Sequence, residues 1–313
     1  MRAFAIANLE ASPAVQQVPD KPASEGEVRV AVEVASVNGF DVVVADGQAW
    51  DWMAHTFPVV LGRDFVGTVS EVGDGVEKSR LGEVVAGVVT AHSLGVGSLA
   101  ESVTVPAETV TKLPEGLRAE EAASLGLAGV AARDVVDAAS VEAADTVLVS
   151  GATGGVGAVA VQLVKARGGR VIATARPGEE EDFVRGLGVV GVVDYSGDLQ
   201  AAIRAAAPEG LDKVVHTAGD PVAAARALRP GGALSSLRGV TSEQVGRDDI
   251  TVVSVVAAAT ADKLAFLLGE LVAGRIKVRA SAVFPLEQAA QALDSFRAGT
   301  IGKILVRPRQ ESA

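Results

Sequence analysis

The chain has 313 residues, about twice the size of an ordinary domain, so two domains on one chain is the starting expectation. Apolar residues make up 49% and charged residues 21%, with aromatics at 4% and 35 glycines, which fits an aliphatic-cored α/β protein and excludes collagen-like, coiled-coil and disordered chains. With 39 acidic against 28 basic residues the net charge is −11, which repels a phosphate backbone and argues against a nucleic-acid partner.

The absence of cysteine excludes disulfides, thiolate nucleophiles and every Cys-built metal site. The opening MRAFAIANLE has no sustained apolar stretch, and no window approaches the roughly 18 uncharged residues of a membrane helix. The expectation is a soluble cytoplasmic protein without a membrane partner.

In chain order, residues 27–37 (EVRVAVEVASV) alternate with period two and read as a strand. Residues 58–73 (PVVLGRDFVGTVSEVG) repeat that texture with glycine punctuation, and shorter strands fit 83–89 and 100–105. No long amphipathic helix precedes Pro114, so residues 1–118 are expected to form a β-rich, glycine-bent domain. From Ala119 the grammar changes to valine-rich runs alternating with helical segments, the signature of βαβ units on a parallel sheet. Six strands are predicted in a second domain of residues 119–260, at 146–150, 170–174, 191–194, 213–217, 232–237 and 251–256, enough for a doubly wound sheet. Residues 261–313 add an amphipathic helix, a strand at 283–286, a helix at 287–297 and a last strand, GKILVRP, expected to rejoin the first domain.

The strand DTVLVS is followed directly by GATGGVG (151–157) and then by the helical AVAVQLVKARGG. Strand, glycine turn and helix together are the context a dinucleotide-binding loop requires. Ala152, Gly154 and Gly157 take the three glycine positions of that fingerprint, Thr153 falls between the first two, and the amides of Gly155, Val156 and Gly157 would meet a pyrophosphate at the positive end of the helix. About 20 residues on, where an NAD enzyme places an acid against the ribose, this chain has Thr174 and Ala175 followed by Arg176. A guanidinium suits a 2′-phosphate, so NADPH is expected over NADH. Thr217 and Ala218, at the end of the fourth of these strands, complete the cofactor-binding set read from this half. The acidic cluster GEEE (178–181) reads as a solvated helix start.

The segments SVNGFD (36–41), FPVVLGRDFVGTVSEVG (57–73), SLAESVTVPA (98–107), GATGGVG, VVDY (192–195) and GKILVRP (302–308) together resemble the medium-chain dehydrogenase/reductase superfamily, in its zinc-independent, quinone oxidoreductase-like branch. The resemblance runs nearly end to end. It implies a GroES-like substrate domain beside a Rossmann domain, and hydride transfer from NADPH to a small-molecule quinone or α,β-unsaturated carbonyl compound. It also implies a homodimer joined through the strand region ITVVSVVAA (250–258).

The zinc-containing branch has a Cys where this sequence has Asn38, a His where it has Arg63, and another Cys near Leu125 or Gly126. His55, His92 and His216 show no ligand spacing, so no metal is expected. By resemblance Asn38 lies near the nicotinamide, where its amide can donate to a carbonyl oxygen that gains charge; the alternative is that it only ties a turn together. Arg63 is read as an oxyanion or substrate-carboxylate partner or as a bridge to Asp41 or Asp64, the bridge being favoured. Relatives often carry a tyrosine before FPVVLG, but the segment DGQAWDWMAHT has none, so Trp50 or Trp52 is expected to wall the substrate and solvent to supply the proton. The same resemblance implies that Tyr195 and Arg297 meet the 2′-phosphate and that Lys303 approaches the cofactor from the returning tail. Two other readings stand beside this one: an enoyl reductase acting on a biosynthetic intermediate such as a polyketide, and a non-catalytic NADPH-binding sensor.

Overall fold

A computed structural model describes residues 1–309; residues 310–313, the end of the expected C-terminal segment, lie outside the described residues. The chain divides into two units. One consists of Met1–Leu127, Ala259–Gly274 and the described residues from Arg279 onward, the other of Ala128–Ala258 and Arg275–Val278.

In the first unit the strands are β1 (Arg2–Ile6), β2 (Ala14–Gln17), β3 (Glu27–Ser36), β4 (Val59–Val60), β5 (Asp64–Val72), β6 (Val84–Val88), β7 (Ser102–Pro106) and β8 (Val110–Lys112), joined late in the chain by β15 (Ala280–Pro285) and β16 (Lys303–Arg307). They form a small sheet ordered β2-β1-β4 and a larger one ordered β15-β16-β3-β5-β6-β8, with β7 also paired to β3. The alternation in β3 sets its faces: Val28, Val30, Val32 and Val34 are wholly buried, while Glu33 is exposed on the other side. Each such valine contributes about 1.5–3 kcal/mol of apolar burial. Antiparallel pairing to β5 places Val34 opposite Val66 and Val32 opposite Gly67, where a Cβ would run into the Ala31 carbonyl carbon at 2.9 Å.

Two features differ from the sequence reading. The run 58–73 is not one strand but β4 and β5, separated at Gly62, whose φ of +94° turns the chain. The pair β1 and β2 was not foreseen, because β1 buries four residues in succession and so shows no alternation, and β2 is a half-exposed edge. Short helices α1 (Gly39–Ala45) and α9 (Ala289–Arg297) and the longer α8 (Ala261–Val272) also belong to this unit. The tail returns as expected: β16 pairs antiparallel with β3, Leu305 opposite Ser36. Helix α2 (Ala119–Ala138) is interrupted at Gly126, and the division between the units follows Leu127.

The second unit is built on β9 (Thr146–Ser150), β10 (Arg170–Thr174), β11 (Gly191–Val193), β12 (Leu211–His216), β13 (Leu228–Ser236) and β14 (Thr251–Ser254). All neighbours are parallel and the order is β11-β10-β9-β12-β13-β14, the doubly wound arrangement whose switch point lies between β9 and β12. Helices α3 (Gly155–Ala166), α4 (Glu179–Gly186), α5 (Leu199–Ala206), α6 (Pro221–Ala225) and α7 (Ser242–Val245) connect the strands. Leu148, Val214, Leu234, Ile203 and Leu211 form its core, all essentially without exposure. Among the described residues no helix is long and apolar enough to cross a membrane.

Candidate cofactor and substrate sites

The glycine-rich loop follows β9 at the switch point. Gly151 turns the chain with φ of +81°, and a Cβ there would sit 2.9 Å from the Ala218 Cβ and collide with the Thr217 hydroxyl. It is this glycine, missed when Ala152 was assigned the first fingerprint position, that makes the tight turn; Ala152 is buried beside it. Gly157 allows α3 to rest on the loop, since a Cβ there would lie 2.7 Å from the Ala152 Cα. Gly154 caps α3 without any side-chain acceptor, which leaves the first-turn amides of Gly155, Val156 and Gly157 to an external anion. A Cβ at Gly154 would meet only the Gly151 carbonyl oxygen, at 3.7 Å, so the space in front of the cap is open. This cradle fits a pyrophosphate.

The loop is anchored from below. Thr174, buried at the end of β10, accepts the Gly151 N–H at 2.9 Å, so its hydroxyl positions the loop. Thr217 donates to the Ser150 carbonyl at 2.8 Å, Ser150 donates to the Ala218 carbonyl at 2.5 Å, and Thr153 lies half-buried within the turn.

Arg176 and Tyr195 come together as expected, but around a third residue. Glu180 accepts the Arg176 backbone N–H at 2.8 Å, Nε at 2.9 Å and Nη2 at 2.5 Å, and the Tyr195 hydroxyl at 3.0 Å. Burial alone pushes the Glu180 carboxyl up, and the bonds from Arg176 and Tyr195 together outweigh it and hold it below the usual range. Glu180 is thus no solvated helix-start residue: it is 9% exposed and saturated by internal donors. The Nη1 group of Arg176, which Glu180 does not use, belongs to a side chain 58% exposed. His216 is buried between Ser236 Oγ at 2.8 Å and the Gly219 carbonyl at 3.1 Å, a structural placement.

In the first unit, Asn38 caps α1 in a capping box with Asp41. Its Nδ2 donates to the Ser36 carbonyl and to Asp64 Oδ1, both at 3.2 Å, and its Oδ1 accepts from Lys303 Nζ at 2.6 Å. The amide nitrogen and oxygen are both engaged inside the protein, the bonding that the turn-tying alternative describes. Lys303 is buried and also donates to the Val37 carbonyl at 2.7 Å, so its ammonium is engaged within the first unit. Burial lowers the affinity of its ammonium for the proton, and the charges of Asp64 and Asp41 oppose that. Burial likewise pushes Asp41 up to about 6, against the amides of Asn38 and Gly62 that it accepts.

Asp64 completes the cluster by accepting the Ser36 N–H and hydroxyl and the Leu127 N–H at 2.8 Å. Its carboxylate fills the place a side chain at 126 would need: a Cβ on Gly126 would come 2.8 Å from the Asp64 Cγ. Asp64, Asp41 and Lys303 were not assigned site roles together in the sequence, and only their burial and mutual bonds expose the cluster.

Arg63 forms no bridge to Asp41 or Asp64, contrary to the favoured reading. Its guanidinium lies 4.4 Å over the Phe40 ring and donates through Nη1 to the carbonyls of Val89 and Ala91, each at 3.3 Å. Trp50 is half-buried and packs against His55 and Phe57 at ring distances of 5.3 and 5.7 Å, while the more exposed Trp52 donates to the Gln48 carbonyl. Arg297 is held between Asp46 at 2.5 Å and Asp294 at 2.9 Å, within the first unit. Among the described residues no group of three or more His, Cys, Asp or Glu side chains is arranged to hold a metal ion.

Comparison with known proteins then decides the family. Residues 24–115 match the alcohol dehydrogenase GroES-like domain and residues 155–297 the zinc-binding dehydrogenase family. The chain is 30% identical over 310 residues to the chloroplast envelope quinone oxidoreductase homologue of Arabidopsis thaliana, covering 93% of each protein. The chain belongs to the medium-chain dehydrogenase/reductase superfamily. Within that superfamily it is quinone oxidoreductase-like, and members bind nicotinamide cofactors. The quinone oxidoreductase of Coxiella burnetii shares the fold at a TM-score of 0.86 and 24% identity, with 98% of each chain covered. A mycocerosic acid synthase-like polyketide synthase of Mycobacterium tuberculosis is 37% identical over 182 residues, 58% of this chain and 8% of the synthase.

Proposed function

We propose that this superfamily oxidoreductase uses NADPH to deliver hydride to a quinone or an α,β-unsaturated carbonyl compound without a metal ion. The observation that carries the reading is the open, uncapped N-terminus of α3 behind GATGGVG, with Arg176 at the end of the neighbouring strand. The amides of residues 155–157 hold the pyrophosphate, Thr174 and Thr217 keep the loop in shape, and the free Nη1 group of Arg176, steadied by Glu180, meets the 2′-phosphate. Bound reduced nicotinamide supplies the hydride. In place of a metal, the first unit carries the Asn38–Asp64–Lys303 cluster, which holds the SVNGFD turn rigid. The dimer reading rests on β14, which ends its sheet and is followed by the 89% exposed Val256.

The match to a polyketide synthase favours a second reading, enoyl reduction of a biosynthetic intermediate. Both are tested by following NADPH and NADH oxidation with a panel of quinones and enones, using wild type and Arg176→Ala. Quinone-dependent turnover that prefers NADPH, with NADPH affinity in a direct binding titration weakened about tenfold in the variant, is expected. Turnover of enones alone favours the second reading. Equal use of NADH, or an unchanged NADPH affinity in Arg176→Ala, refutes the assigned cofactor.

A further inference from the structure

The carboxylate of Glu180 lies against the two side chains expected at a 2′-phosphate, and it has already taken most of what they can donate. Arg176 brings its backbone N–H and its guanidinium protons, and Tyr195 brings a single hydroxyl proton. Glu180 accepts the backbone N–H, Nε–H, a proton of Nη2 and the hydroxyl. Its carboxyl is held below the usual range, so at neutral pH it is ionised and can only accept. A phenol whose proton is spent on a carboxylate has only lone pairs left, and a phosphate dianion, itself an acceptor, gains nothing from them. The Nη1 group and the remaining Nη2 proton of Arg176 are what a phosphate can use.

The charges are as uneven as the protons. The guanidinium of Arg176 is held above its usual value first by the bond to Glu180, and the charge of Asp194 adds to this. Asp194 is itself kept ionised by the backbone N–H and hydroxyl of Ser196. Two carboxylates therefore act on one cation before any phosphate arrives, and each subtracts from the attraction that the cation offers a dianion. Glu180 is buried with both carboxylate oxygens engaged, so turning it out to solvent breaks all of these bonds at once.

We propose that Glu180 is a specificity-determining residue that restrains the preference for NADPH: it neutralises Arg176 and withholds the Tyr195 proton from the 2′-phosphate, so that the margin over NADH stays small. This rests on the reading of Arg176 as the partner of the 2′-phosphate. The same carboxylate orders the guanidinium, but toward a phosphate its charge outweighs that ordering. Glu180→Gln separates the two effects, because the amide keeps an acceptor for the guanidinium, can donate to the Tyr195 oxygen and carries no charge. The full chain is titrated calorimetrically with adenosine 2′,5′-bisphosphate and with adenosine 5′-monophosphate, in wild type, Glu180→Gln, Glu180→Ala and Tyr195→Phe, after thermal melts establish that the variants fold.

Glu180→Gln is expected to bind the bisphosphate about tenfold more tightly than wild type and the monophosphate equally well. Glu180→Ala, which loses the ordering as well as the charge, gives a smaller gain in the same direction and stands in should the glutamine variant not fold. Tyr195→Phe keeps the bisphosphate affinity within about threefold of wild type, because the missing proton was spent on Glu180. An unchanged or weaker bisphosphate affinity in the Glu180 variants overturns the proposal, the weaker one by leaving Glu180 only its ordering of Arg176. Equal strengthening of both nucleotides overturns it too, as does a larger loss in Tyr195→Phe, which would put the phenol proton on the phosphate. A wild type that prefers the bisphosphate beside a Glu180→Gln that gains nothing refutes the role of Glu180 and leaves the NADPH reading standing. A gain in Glu180→Gln beside a wild type without preference supports the role of Glu180 and refutes that reading alone.

Discussion

Replacing Lys303 by methionine keeps the stem and removes the ammonium from the interior of the first unit. Two acceptors, the Val37 carbonyl and Asn38 Oδ1, lose donors now at 2.7 and 2.6 Å, and Asp64 and Asp41 lose the cation nearest to them in the cluster. Breaking a buried charge cluster from one side costs about 3–5 kcal/mol, because the remaining carboxylates stay desolvated. Urea unfolding followed by fluorescence reads this unit selectively, since both of the protein's tryptophans, Trp50 and Trp52, lie in it. Adding Asp64→Asn to Lys303→Met removes one of the carboxylates left uncompensated, so the double variant is expected to lose at least about 1 kcal/mol less than the two single losses together. A loss below about 1 kcal/mol in Lys303→Met, or strict additivity in the double variant, would refute the view that the ammonium balances these carboxylates.

The Asp41 carboxyl, raised from 3.8 to about 6, binds its proton more tightly in the folded than in the unfolded chain. Its contribution to stability is therefore full below about pH 4 and lost as the pH rises through about 6, a change of about 3 kcal/mol. Unfolding titrations across that window should show this slope in wild type and not in Asp41→Asn; parallel curves would show that Asp41 titrates normally. At the glycine loop, Gly154→Ala meets open space and is expected to leave the melting temperature unchanged while weakening NADPH binding about tenfold, because the new methyl group stands before the cap. Gly157→Ala, by contrast, presses on the backbone of Ala152 and should lower both stability, by about 1–3 kcal/mol, and binding. Undiminished NADPH affinity in Gly154→Ala would mean that the phosphates lie elsewhere.

The parallel sheet was the most legible part of the sequence, because its strands are short valine-rich runs bounded by glycine and each is followed by a helical segment. The glycine loop was legible for the same reason, down to the helix it opens. What escaped were partnerships between residues far apart in sequence. Lys303 meets Asn38 across 265 positions, and no local pattern announces that the tail lysine points inward. Glu180 looked like one acid among four in the first turn of α4, and only the return of Tyr195 to the same place turns it into the hub of three side chains. Arg63 was expected to pair with a neighbouring acid, but Asp41 and Asp64 are already taken by backbone amides and by Asn38, so the nearest charges in sequence are not the nearest partners in space.

The position of β16 beside β3 also orders the events of synthesis. Residues 27–36 leave the ribosome well before the partner that completes their pairing, residues 303–307, which is made only after the entire parallel sheet between them. The second unit can close once Val278 has emerged, whereas the nascent first unit must wait with the end of β3 paired only to β5 and the carboxylates of Asp41 and Asp64 without their lysine. A chain stalled or cut short before Lys303 would thus hold a finished nucleotide-binding half attached to an unfinished partner.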